Sequence, residues 1–257
     1  MKIIRFSADN KIHYGVLEKD NIKVIKGSPF SNIRYTGDTR KLIDVKLLAP
    51  CVPSKIVCLG VNYRSHAGEM SQHIPQSPLI FLKPPTAIIN PEENIIYPEM
   101  SHRVDFEGEL GVIIKKKAIR ISTAEALDYV LGYTCFNDVT ARDLQKLDGQ
   151  WTRAKGFDTF APFGPCIETE IDPVDVPIET YLNGESKQKS NTTELIFSVK
   201  EVISFISRVM TLLPGDVIAT GTPAGIGPMN PGDIVEVKIA PIGVLRNYVA
   251  KPSAAGE

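Results

Sequence analysis

Residues 104–112, VDFEGELGV, constrain this chain more than any other stretch. Side chains at i, i+2 and i+4 of a strand share one face, so Asp105, Glu107 and Glu109 are expected side by side, opposite Phe106, Gly108, Leu110 and Val112. Gly111-Val112-Ile113-Ile114 carries the segment into an apolar run suited to a core. An acidic row therefore heads inward. Carboxylates one strand repeat apart, roughly 7 Å, repel by about 2 kcal/mol at an effective dielectric of about 20. A divalent cation would relieve that repulsion, because carboxylate oxygens are its preferred ligands. The plainer alternative is a solvated strand face bridged by lysines.

Asp138 follows the apolar run YVLGYTCF and is the candidate third ligand from a second strand. With no Cys or His in the set, the expected ion is Mg²⁺ or Mn²⁺. His66 and Glu69, three apart in NYRSHAGEM, would share one face of a helical turn as a general acid/base pair, or form an ordinary surface pair. Three carboxylates and one divalent ion leave a negative site, so an anionic substrate needs nearby cations; Arg142 and Lys155 would supply them, with surface charge as the alternative. The glycine-rich GTPAGIG at 221–227 lacks nucleotide-loop spacing and is expected to approach a ligand through bare backbone. Trp151 is expected to pack against neighbours and not to stack on a ligand.

Composition narrows the classes. With 257 residues, 43% hydrophobic and 23% charged, the chain suits one large domain with a small appendage, or two domains. A net charge of −1 offers no bulk attraction to nucleic acid or anionic membrane. Cys51, Cys58, Cys135 and Cys166 show neither zinc-site spacing nor disulfide density, which favours a reducing compartment. No segment has the apolar length of a membrane span, so a cytoplasmic location is expected.

Short alternating runs (KIIRFS, IHYGVLE, NIKVIKG) predict a small β-rich unit over residues 1–50, ending near Ala49-Pro50. Residues 51–250 read as a larger, mainly β unit with few helices, and 251–257 as a frayed tail. Capping-box spacing predicts helices after Ser122 and Ser198. Asn183-Gly184 predicts a hairpin, and Pro214-Gly215 and Pro231-Gly232 each predict a following strand.

GVNYRSHAGE, FLKPPTAI, VDFEGELGVII, FNDVTARDLQ, DGQWTRAKGFDTFAPFGP, MTLLPGDVIATGTPAGIG and IGVLRNYV together resemble, in order, the motifs of the fumarylacetoacetate hydrolase family. DGQWTRAKGFDTF is similar to its branch of domain-containing protein 2 and bacterial hydroxyhepta-diene-dioate isomerase-like members. The resemblance implies an α+β fold with a mixed β-roll catalytic domain, a homodimer, and Mg²⁺ held by Glu107, Glu109 and Asp138. It also implies His66 and Glu69 as the acid/base pair, Lys155 as an active-site cation, and Arg142, Gln145 and the Thr222-Pro223 backbone, with Lys83 as a further candidate, at the substrate. Members assigned as hydrolases or decarboxylases often carry His where this chain has Phe106. The expected substrate is a small anionic 2-oxo acid whose enolate the metal stabilises. Hydrolysis of an acylpyruvate-like 2,4-dioxo acid comes first. Isomerisation, tautomerisation or decarboxylation of a 2-oxo dicarboxylate of the 2-hydroxyhepta-2,4-diene-1,7-dioate or oxaloacetate type follows, and a metal-dependent binding protein without turnover is the third reading.

Overall fold

A computed structural model describes residues 1–69 and 74–252. The frayed tail expected over 251–257 lies mostly outside them. Strands dominate, as the alternating sequence runs require, and they form three sheets.

The largest sheet has twelve strands. Its centre is Gly108–Ile114, antiparallel to both Val130–Asn137 and Val217–Ala219. All seven residues of Gly108–Ile114 are buried, because both sheet faces are covered. Leu110 and Val112 point into one core with Ile203, Ile206, Val237 and Leu245, while Ile113 points into another with Phe136 and Phe163. The N-terminal strands belong to this same sheet: Lys2–Ala8 pairs antiparallel with Ala161–Glu168. A five-stranded sheet, Glu185–Asn191, Pro177–Leu182, Ile234–Ile239, Gly243–Ala250 and Asn94–Ile96 in spatial order, contributes to the first core. Asn183 and Gly184, at φ 53° and 80°, make the expected tight turn between its first two strands.

The acidic row departs from its expected geometry. Val104–Phe106 is a separate strand, paired with Thr140–Ala141 and Gly227–Met229 in a three-stranded sheet. The chain leaves one sheet and joins the other at Glu107. Asp105 therefore does not continue the row of the central strand, and Phe106 packs with Val104 and Met229 in a third core. Gly108 fits this crossing because a Cβ there would meet the Thr180 hydroxyl at 2.1 Å.

Four α-helices occur among the described residues: α1 Arg64–Glu69, α2 Arg142–Asp148, α3 Thr152–Gly156 and α4 Val199–Val209. In α4 the Ser198 and Glu201 capping box forms as predicted, and Val202, Ile203 and Ile206 are buried. The helix expected after Ser122 is a correction. Ser122 and Glu125 do exchange hydrogen bonds, but only a single 3₁₀ turn, Ala126–Tyr129, follows. The strand Val130–Asn137 begins directly after it, so no length of chain remains for a helix. All four cysteines are free and buried, and no helix among the described residues is long and apolar enough to cross a membrane.

Candidate active site

Where the chain crosses between sheets, three carboxylates meet. Glu107 stands at the crossing, Glu109 is the second residue of the central strand, and Asp138 follows the end of the neighbouring strand. Hydrogen bonds lock the junction: the Asp138 amide donates to the Glu107 carbonyl at 2.8 Å, and the Glu107 amide to the side-chain Oδ1 of Asn137 at 3.0 Å. One carboxylate oxygen from each acid lies within 4.8 Å of the other two, and all three residues are buried.

Buried cations hold the cluster. Lys155 of α3 donates to Glu107 Oε2 at 2.9 Å and to Asp138 Oδ2 at 2.6 Å. Lys83, 1% exposed, pairs with Asp138 from beneath and donates to the Val139 carbonyl at 2.9 Å. Arg142 of α2 pairs with Glu107 and donates from Nε to Asp105 at 2.9 Å, where Arg103 also binds. Asp105 thus serves the arginines, and lysines do bridge the acids, but in the interior and not on a solvated face. Gly149, at φ 69°, ends α2 and lets the chain turn into α3, which returns Lys155 to the cluster.

Protonation follows this asymmetry. Burial disfavours charge on Glu107, yet Lys155 and Arg142 prevail and hold its carboxyl below the ordinary glutamate range. Burial also disfavours charge on Glu109, and the Asp138 and Glu107 carboxylates add to it, so that carboxyl is pushed well above the ordinary value. Burial draws the Lys83 ammonium down, whereas on Lys155 the pull of Asp138 and Glu107 outweighs burial and raises it.

Glu109 Oε2 accepts from the Gly221 amide at 2.7 Å, but Oε1 is buried without a hydrogen-bond partner among the described residues. An acceptor buried unpaired beside two more carboxylates is unfavourable unless a cation meets it. Three hard oxygen donors around such an orphan atom fit a divalent ion of the Mg²⁺ or Mn²⁺ type.

A cavity of about 160 Å³ opens beside the cluster. Its polar lining is His66, Glu107, Arg142, Gln145, Lys146 and Lys155. Leu59, Val61, Phe81 and Trp151 form the apolar wall, with the Trp151 ring edge-on to Phe81 at 5.2 Å. Trp151 therefore packs, as expected, and also faces the cavity. The Gln145 carbonyl oxygen accepts from Arg142 at 2.7 Å.

Helix α1 brings His66 to this cavity, and its Nδ1 lies 3.0 Å from Glu69 Oε2. The other Glu69 oxygen accepts from the Gly225 amide at 3.1 Å. The glycine-rich loop thus presents backbone amides to two site carboxylates, Glu109 and Glu69. Gly221 is suited to this at φ +99°, where a Cβ would come within 2.8 Å of the Asn62 Cβ.

Of the residues expected at the substrate, Arg142 and Gln145 line the cavity, whereas Lys83, Thr222 and Pro223 do not. Thr222 donates to the Gly108 carbonyl at 2.9 Å and accepts from Gln188 at 2.8 Å, while Pro223 O also accepts from Gln188 at 2.8 Å. Sequence reasoning missed Gln188, whose Oε1 also accepts from the Gly108 amide at 3.0 Å, and Asn137. Gln188 lies outside the quoted motifs, and Asn137, although inside FNDVTARDLQ, is an amide with no charge to mark it; only the fold brings the two to the crossing.

The model of the fumarylacetoacetate (FAA) hydrolase C-terminal family matches residues 55–250. The chain belongs to the fumarylacetoacetate hydrolase family. The Rv2993c-like N-terminal model matches residues 1–50. An uncharacterized protein of Archaeoglobus fulgidus is 51% identical over 96% of this chain and 95% of its own. Oxaloacetate tautomerase Fahd2a, mitochondrial, of Rattus norvegicus is 40% identical over 80% of this chain and 69% of its own. The crystal structure of 5-carboxymethyl-2-hydroxymuconate delta-isomerase from Mycobacterium smegmatis superposes with a TM-score of 0.93 at 43% identity, covering 98% of this chain and all of that one. The protein is thus a fumarylacetoacetate hydrolase-family enzyme whose relatives include isomerases and a tautomerase.

Proposed function

We propose that this enzyme exchanges a proton at the carbon beside a 2-oxo group, interconverting the keto and enol forms of a small anionic 2-oxo acid. The observation that carries this reading is the His66–Glu69 pair, 3.0 Å apart, at a cavity that also reaches Glu107, Arg142 and Lys155. Glu69 fixes the imidazole through Nδ1, leaving Nε2 to take a proton from C3 and return it. Lys155 and Arg142 offset the acidic floor and admit an anion. A divalent ion on Glu107, Glu109 and Asp138 would supply Lewis-acid polarisation of the 2-oxo and carboxylate oxygens. The apolar wall of Leu59, Val61, Phe81 and Trp151 limits water beside the reacting carbon.

Hydrolysis of an acylpyruvate would use the same pair to hold and activate a water. Proton exchange is favoured over it because Phe106 sits in a core with Val104 and Met229, where hydrolytic members often have His. The names of the rat and mycobacterial relatives point the same way. The test follows decay of enol absorbance with Mg²⁺ present, using oxaloacetate, alongside acylpyruvate cleavage and carbon dioxide release. Accelerated ketonisation without cleavage or gas supports the reading. Cleavage of the acylpyruvate alone replaces it with hydrolysis, and no acceleration of any reaction overturns it.

A further inference from the structure

The cations of the cavity are not equivalent. Arg142 is countered by Asp105 and Glu107, and Lys155 by Glu107 and Asp138. Each inner cation therefore meets two carboxylates before any ligand arrives. Lys146 is different: it lines the same cavity, is exposed, and has no ion-pair partner within 4 Å among the described residues.

The acids nearest to Lys146 in sequence are engaged elsewhere. Asp143 accepts from the Ser101 hydroxyl at 2.6 Å and from the His102 amide at 2.8 Å, and Asp148 pairs with Arg153. Arg142, Gln145 and Lys146, at i, i+3 and i+4 of α2, share one helix face. Four residues of helix separate the backbone positions of the buried Arg142 and the exposed Lys146 by about 6 Å of rise. The same cavity is lined by the apolar side chains of Leu59, Val61, Phe81 and Trp151. The cavity thus combines buried cations already countered by carboxylates, apolar side chains, and one exposed ammonium with no ion-pair partner among the described residues.

We infer that Lys146 is a specificity-determining residue that binds a second, distal carboxylate, giving the site a preference for 2-oxo dicarboxylates over 2-oxo monocarboxylates. This rests on the 2-oxo acid reading of the same cavity. An inner carboxylate and keto group lie toward Glu107, Arg142 and Lys155. A short methylene chain lies against the apolar wall, and the outer carboxylate meets Lys146. The contribution is that of an exposed ion pair, about fivefold in affinity.

The test is calorimetric titration of the Mg²⁺-loaded protein with two ligands of equal chain length, 2-oxoglutarate and 2-oxopentanoate, which differ only in the outer carboxylate. The wild type is expected to bind 2-oxoglutarate about fivefold more tightly. Lys146→Met should equalise the two by weakening 2-oxoglutarate alone, and Lys146→Arg should restore the preference. Because Lys146 is exposed, folding is not at issue. Equal affinities in the wild type, no binding of either compound, or a preference that survives in Lys146→Met overturns the assignment. Failure of the tautomerase reading registers separately, as unaccelerated ketonisation of oxaloacetate, and leaves this binding comparison standing.

Discussion

The acidic floor and helix α1 face the same cavity but are built in opposite ways. Glu107, Glu109 and Asp138 are at most 5% exposed, and each is bonded to elements distant in sequence: Lys83, α2, α3 and the Gly221 amide. Helix α1 has six residues, too few to be stable alone, and the Glu69 side chain is 34% exposed. Hydrogen bonds fasten its two ends. Asn62, just before it, donates to the Thr220 carbonyl at 2.7 Å, and Glu69 accepts from Gly225. The difference teaches that the charges of the floor are compensated inside the fold, whereas the proton-transferring pair sits on a short, partly exposed helix held by hydrogen bonds at its two ends. Charge on the floor is therefore a stability matter, and chemistry on α1 is not.

The sharpest way to break this division is to remove the acid/base pair. His66→Ala and Glu69→Gln are each expected to lower turnover by about 10²- to 10⁴-fold while leaving urea stability and Mg²⁺ affinity near wild type. Loss of stability comparable to a core mutation would show that α1 is part of the folded frame.

Changing the floor should do the reverse. Glu109→Gln is expected to fold but to lose its metal-dependent melting shift, worth about 2.7 kcal/mol in the wild type at a hundredfold excess over Kd. The sign of its pH dependence sharpens the comparison. In metal-free wild type the raised carboxyl of folded Glu109 keeps its proton above the unfolded value, so this group favours folding at low pH. That contribution is lost as pH rises through the glutamate range and beyond. Chemical denaturation of the metal-free proteins should therefore show Glu109→Gln gaining on the wild type toward neutral pH. A surviving Mg²⁺ shift would remove Glu109 from the metal set, and a difference constant with pH would show that its carboxyl is not raised.

The smallest effect belongs to the loop contact of α1. The Ala224 amide reaches Ser65 Oγ at 3.5 Å, so Ser65→Ala should change stability by less than about 0.5 kcal/mol and KM less than twofold. A larger change in KM would mean that the loop and helix hold the site as one unit.

Much of this site was legible beforehand, because strong local chemistry leaves a local trace. Glu107 and Glu109 stood two apart before an apolar run, Asp138 ended another, and His66 and Glu69 had helical spacing. The Ser198 capping box and the Asn183-Gly184 turn were likewise local, and both formed. The same local logic failed at Ser122, where the reciprocal bonds formed but the next strand left only a 3₁₀ turn.

The sequence by itself determined a strand-rich chain with a carboxylate pair at the mouth of a buried strand, a His–Glu pair and nearby cations, since each is a matter of residue type and short spacing. Tertiary structure alone decided how the charges pair. Alternation placed Asp105 with Glu107 and Glu109, but the crossing between sheets at Glu107 gave it to Arg103 and Arg142. Lys83 went to Asp138, Lys155 between Asp138 and Glu107, and Lys146 to the exposed side with no ion-pair partner among the described residues. Coulomb energy depends on distance and burial, and residues separated by tens of positions acquire both only when the sheets close.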